Sequence, residues 1–272
     1  YSQSLQLVRA TGNTAVNATS GNSGLLIKNK NDYETQYIDL SAANTYGMFA
    51  ARYAGKIGDT LKVSVWASAN ANAYAQWAYA EEFNGVPSTS AYTADRNGAN
   101  DEMHIVVADK DGQFTGTANT ILEIFPGVSK ALGARSENGT AIYYRDYMNK
   151  NSRYVWWTDH PATAAWGVSG YNHAFNSVTP AQFDLSGGVD DLTATDGQLM
   201  TAWAIFADDS QYDISLLPVG KASTTVAEYV INNVAETRLD CVVFASPQDV
   251  DTGDVIIGNG SNATDAINAY RN

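Results

Sequence analysis

Hydrophobic and polar positions alternate most cleanly over residues 60–66, Thr60-Leu61-Lys62-Val63-Ser64-Val65-Trp66, a period of two that predicts a half-buried strand. A second apolar run, 103–108, leads into Asp109-Lys110-Asp111-Gly112 and then 113–115, which reads as a β-hairpin because Asp-Gly favours a tight turn. Residues 119–125 predict a further strand ended by Pro126-Gly127, and 136–139 a turn. Ile142, Tyr143, Tyr147 and Met148 fall at helical spacing within 141–149, and 154–157 reads as a buried strand. Weaker alternation at 4–9, through Leu5 and Leu7, predicts an opening strand. Short strands are also expected at 25–27 and 36–40. Residues 67–100 have no clean period and read as a long surface excursion.

The last hundred residues are the most regular. A strand end at 183–186 runs into Gly187-Gly188. Thr193 then reads as an N-cap with Asp196 three residues on, and Leu199, Trp203, Phe206 and Ala207 continue one helical face. A strand at 214–219, an amphipathic helix at 224–237 through Val226, Tyr229, Val230 and Val234, and a strand at 239–245 follow. This alternation implies helices packed on a largely parallel sheet. The fold class expected is therefore α+β, with an α/β-like C-terminal part: a mixed sheet carrying helices. Residues 11–45, rich in Asn, Thr, Ser and Gly in their first half, read as a small, mobile β-rich insertion. Residues 1–10 and 46–272 form the main body.

Composition narrows the function. The 272 residues are 44 % hydrophobic, enough for a core, but only 17 % charged, so amides and hydroxyls supply most of the polarity. A net charge of −13 disfavours nucleic acid and anionic membranes as partners, and no apolar stretch is long enough to span a bilayer. The lone Cys241 lies in an apolar run and reads as a buried small hydrophobe. His104, His160 and His173 have no metal-ligand spacing, and Asp159-His160 reads as a chance loop neighbour pair. Gly167-Val168-Ser169-Gly170 lacks the glycine a nucleophile elbow needs at Tyr171. Lys221 follows Gly220 but lacks the earlier glycine of a phosphate loop. A calcium loop at Asp109–Gly112 would need ligands at Val107 and Ala118. Asp249, Asp251 and Asp254 read as an exposed acidic loop. No catalytic, cofactor-binding or metal residue is expected. Trp66, Trp156, Trp157 and Trp203 are expected in the core, with Trp77 and Trp166 in loops.

One resemblance organises these pieces. Phe183-Asp184-Leu185-Ser186-Gly187-Gly188-Val189-Asp190, Asp196-Gly197-Gln198-Leu199-Met200-Thr201-Ala202-Trp203, Phe206-Ala207-Asp208, Tyr212–Leu217, Thr237-Arg238-Leu239-Asp240-Cys241 and Ala245-Ser246-Pro247 together resemble contractile-tail sheath proteins of large-tailed bacteriophages. Leu5–Ala10, Ala54–Val63 and 104–157 are similar to further parts of that family. The resemblance implies a structural virion protein rather than an enzyme, with Leu185, Gly187, Gly188, Trp203, Arg238, Asp240 and Pro247 as framework residues. The implied partners are neighbouring sheath subunits in stacked six-fold rings and a central tail tube. The implied action is contraction that drives the tube through the host envelope. It also implies that 11–45 stands where the family inserts an outer domain. Because the chain starts at Tyr1 inside an expected strand, it reads as a trimmed, monomeric body lacking the family's linking arms. Two rival readings remain: a secreted carbohydrate-binding or carbohydrate-active protein, suggested by 16 Tyr and 6 Trp, and a phage receptor-binding decoration.

Overall fold

The computed structural model describes residues 5–38, 43–161, 164–178 and 182–246. They divide into two units, Thr14–Asp190 and the flanking residues 5–13 with 191–246. Helices combine with antiparallel and parallel strands, an α+β fold.

The larger unit contains helix α1 (Lys30–Gln36), strands β1 (Phe49–Ala51), β2 (Leu61–Trp66), β3 (Glu102–Asp109) and β4 (Thr120–Ser129), helix α2 (Tyr144–Asn151), and strands β5 (Val155–Trp157) and β6 (Gln182–Asp184). β4, β3, β2 and β6 make an antiparallel sheet in that order, and β1 pairs with β5. The alternation expected of β2 is realised: Leu61, Val63 and Val65 enter a core with Met103, Ile105, Phe125, Tyr144 and Trp157. The hairpin differs from expectation. The partner of β3 is β4, not 113–115, and β4 runs on through Pro126-Gly127 with Gly127 at φ +59° beside a register shift. A ten-residue loop joins the two strands. Asp109 clips it shut by accepting the backbone N–H groups of Gln113, Phe114 and Thr115 at 2.9–3.0 Å. Burial opposes ionisation of that carboxyl, but the hydrogen bonds from Thr60, Thr115 and Phe114 hold it below the usual carboxylate range. The residue is a loop clip, with its oxygens already engaged.

The stretch expected to be loose is woven into this unit. Ala15, Asn17, Ala18 and Thr19 are buried. Val16 exchanges both backbone hydrogen bonds with Val189, and Thr19 with Ser186. The Asn17 side chain donates to Ala51 O at 2.9 Å and accepts from Ile27 N–H at 2.8 Å, so this buried amide is satisfied on both sides. Of the short strands expected here, Leu25 forms only an isolated bridge and residues 30–36 are helical. Asn29 caps that helix, and Tyr33 buries itself against the Trp156 ring at 4.3 Å. Residues 39–40 lie outside the described residues.

The smaller unit holds helix α3 (Asp196–Ala204), strand β7 (Leu216–Gly220), helix α4 (Thr224–Val230) and strand β8 (Val242–Ala245). The N-cap of α3 is Thr195 rather than Thr193. It forms a capping box with Gln198, because only that register pairs Thr with a Gln that reaches back. Ser223 caps α4, which continues through a π-helical turn at Ile231–Ala235. That face carries Val226, Val230 and Val234 onto Phe206 and Leu217. β7 and β8 pair in parallel, as the alternation required. The expected strand at 4–9 is absent: residues 5–10 are irregular, with Leu5 and Leu7 exposed and Val8 packed on the smaller core.

Candidate functional site

The residues singled out in the sequence fall into two groups. Leu185, Gly187 and Gly188 belong to the larger unit, Trp203, Arg238 and Asp240 to the smaller, and Pro247 lies outside the described residues. The acidic 249–254 segment does too.

In the larger unit, Leu185 is fully buried and donates its N–H to Leu61 O at 3.0 Å. Gly187 follows at φ +80°, a left-handed conformation that costs glycine little, in open space. Gly188 has a different task. Its N–H donates to Asp59 Oδ1 at 2.7 Å, and a side chain there would collide with the carbonyl oxygen of Gly55 and lie 2.9 Å from that carbonyl carbon. The motif thus staples the 16–19 segment, the turn before β2 and the end of β6 together. Gly55 and Asp59 completed the site without being singled out, although both stood within the Ala54–Val63 resemblance.

In the smaller unit, Arg238 is buried and uses all five donors. Nε and Nη2 fork onto Asp240 at 2.9 and 2.8 Å. Nη1 reaches Phe206 O and Asp208 O at 3.0 and 3.2 Å, and Nη2 also reaches Tyr212 O at 2.7 Å. Leu239, at φ +64°, turns the chain so that Asp240 can face back. Three carbonyls of the 206–212 loop are therefore fixed to the junction between the 224–238 helical segment and β8. Trp203 is half-buried rather than core and packs its ring 5.8 Å from Phe206. Cys241 is also half-buried. Burial pushes its thiol up, which makes it a poor nucleophile.

Two polar clusters in the larger unit gave no sequence signal beyond a lone charge among small residues. Lys130 is fully buried. It donates to Ala67 O at 2.9 Å and Asn100 O at 2.7 Å, and lies 5.3 Å from the Trp166 ring. Burial pulls its ammonium down to about 8. Buried Asp101 accepts from Ser90 N–H, Ser90 Oγ and Ser129 Oγ. These groups hold loops to the sheet.

His160 sits between Tyr143 and Tyr144, whose hydroxyls lie 3.1 Å from Nε2 and 2.7 Å from Nδ1. It does not form a dyad with Asp159, whose carboxylate accepts the His160 backbone N–H. Burial pulls the imidazole down to about 4 from its ordinary 6.5. The unfolded chain therefore takes up a proton in a window where the folded chain does not, so stability falls as pH drops from 6.5 towards 4. Partial solvent exposure of His160 reduces the effect to about 1–2 kcal/mol. Urea melts at about pH 7.5 and about pH 4.5 should show this loss in the native chain and a smaller one in His160→Gln.

These arrangements define a scaffold in which polar side chains bind backbone. Among the described residues, no group of three or more His, Cys, Asp or Glu could hold a metal ion, and no helix is long and apolar enough to cross a membrane. No family model matches the chain. It is similar to the tail sheath protein of Salmonella phage ViI, with 31 % identity over 170 residues, 61 % of this chain and 22 % of that protein. The chain thus spans about a fifth of the length of that curated relative. The similarity supports a tail-sheath-like relationship to a phage structural protein.

Proposed function

We propose that this chain serves as a structural component of a contractile phage tail sheath, without catalytic activity. The observation that carries this is its 31 % identity to a phage tail sheath protein over most of the chain. In this reading subunits form six-fold rings stacked around a tail tube in the virion, and contraction of the stack drives the tube through the host envelope. The residues from Leu185 to Asp240 named above act as framework, and 11–45 marks the outward side.

The smaller unit supplies physical support. β7 and β8 form a two-stranded parallel sheet, an arrangement normally covered on both faces. Here Leu216, Val242 and Phe244 are 60, 57 and 55 % exposed and share one face. A repeating assembly that contacts this face would remove it from water. Negative-stain microscopy of the complete gene product should show long tubes of stacked rings. Phe244→Glu should abolish the tubes while leaving the far-UV spectrum unchanged. Monodisperse particles from the native protein, or undiminished tubes from the variant with its face shown to be buried, would count against the proposal.

A further inference from the structure

A groove on the larger unit has no place in the scaffold reading. Lys62, Ser64 and Trp66 project from the face of β2 opposite the core, and Gln182 of β6 stands opposite Ser64. The segment after β2 folds over this face and leaves an open groove of about 400 Å³ lined by Trp66, Trp77, Tyr79, Lys62, Gln76 and Gln182, among other residues. That is within the size range of small-ligand sites, roughly 300–1,000 Å³.

Its aromatic walls are braced. Trp77 Nε1 donates to Ser64 Oγ at 2.8 Å, and Trp66 Nε1 to Ser68 O at 2.7 Å. Trp77 stacks on Phe83 at 5.5 Å, and Phe83 on His104 at 4.2 Å. The His104 ring is itself held by Gly85 O and Gly127 N–H at 2.8 and 3.0 Å. Trp66 and Trp77 are 6.0 Å apart, with Tyr79 edge-on to Trp77 at 5.6 Å. Both indole N–H groups are already bonded within the protein, so what the rings present to the groove is apolar surface. The hydrogen-bonding capacity comes from Gln76 and Gln182, both exposed; one Gln182 amide N–H donates to Asp184 Oδ1 at 3.0 Å, which leaves its carbonyl oxygen and second N–H to the groove.

An apolar platform rimmed by amides matches a ligand with one apolar face and a rim of hydroxyls. We propose that this groove binds a neutral pyranose unit of a glycan, the C–H face of the sugar lying on the indoles and its hydroxyls bonding to the glutamine amides. A phosphorylated ligand fits less well: the groove offers one lysine, whose ammonium is engaged by Asn119 Oδ1 at 3.0 Å, in a chain of net charge −13. No carboxylate lines the groove among the described residues, so the proposal is for binding and not hydrolysis. Every contributing residue lies within Thr14–Asp190.

Titration of the 272-residue chain with maltose, cellobiose, lactose and N,N′-diacetylchitobiose, each to about 20 mM and followed by tryptophan fluorescence, tests it. At least one sugar should give a saturable change, weakened by about tenfold or more in Gln76→Ala/Gln182→Ala. Both of these side chains are exposed, so the double variant should keep the native far-UV spectrum. No saturation with any of the four sugars, or a midpoint within about twofold of the native value in the double variant, would overturn the proposal.

Discussion

A Gly188→Val chain should lose about 3 kcal/mol or more of stability, whereas Gly187→Ala should lose only about 1 kcal/mol. The two glycines are neighbours, yet their constraints differ. Gly187 needs a positive φ of +80° but has open space around it, so a methyl group there costs only backbone strain. Gly188 needs room: a Cβ would run into the Gly55 carbonyl, with Asp59 Oδ1 3.0 Å away on the hydrogen bond that holds the turn. Gly55 is backbone and cannot rotate aside as a flexible side chain could. The substitution therefore has to part the segment before β2 from the end of β6. Urea melts followed by tryptophan fluorescence measure both variants, and equal losses would show that close approach is not what Gly188 provides.

Arg238→Met should cost about 3–5 kcal/mol in the smaller unit. The change leaves the carbonyls of Phe206, Asp208 and Tyr212 without their donor and removes the fork onto Asp240. Lysine should rescue little, because one ammonium cannot supply five donors in a plane. Asp240→Asn should cost less, since the Asp240 side chain is 46 % exposed and the carbonyl contacts of Arg238 survive. Hydrogen exchange across Asp196–Ala245 reports these effects segment by segment. Protection in Arg238→Met equal to that of the native chain would show that the clamp is dispensable.

Periodicity made β2 legible, because a strand with one buried face carries a period of two. β3 was legible instead as a continuous apolar run, because residues 103–109 are buried on both faces. The βαβ alternation of 214–245 was legible for a similar reason: Val226, Val230 and Val234 repeat at helical spacing between two apolar runs. What periodicity missed was carried by single polar contacts. Residues 11–24 are mostly small and polar, yet Ala15, Asn17, Ala18 and Thr19 are buried because Asn17, Thr19 and the backbone of Val16 find partners within the unit. Composition alone reads such a stretch as loose. Pro126-Gly127 looked like a strand end, but a register shift absorbs it within β4. Thr193 and Thr195 offer the same hydroxyl, and only the reach of Gln198 selects the second.

The residues from Leu185 to Asp240 stood out through the resemblance before their contacts were on view. Gly188 acts through a close contact with Gly55, 133 residues away in the chain. Arg238 gathers the 206–212 loop through three carbonyls that no sequence pattern connects to it. Trp203 was expected in the core and is half-buried, since helix α3 has no fully buried residue. The groove between Trp66 and Trp77 gave only a composition signal, because its walls come from a strand and an aperiodic loop.

The proposal that this chain is a sheath component is tested most directly by immunoelectron microscopy of contractile-tailed phage particles. With antibody raised against the 272-residue chain, a sheath component should be labelled at regular intervals along the whole tail wall, with the labelled region shortening when the tail contracts. Label confined to the tail tip or the head, or label whose extent is unchanged by contraction, would contradict the account.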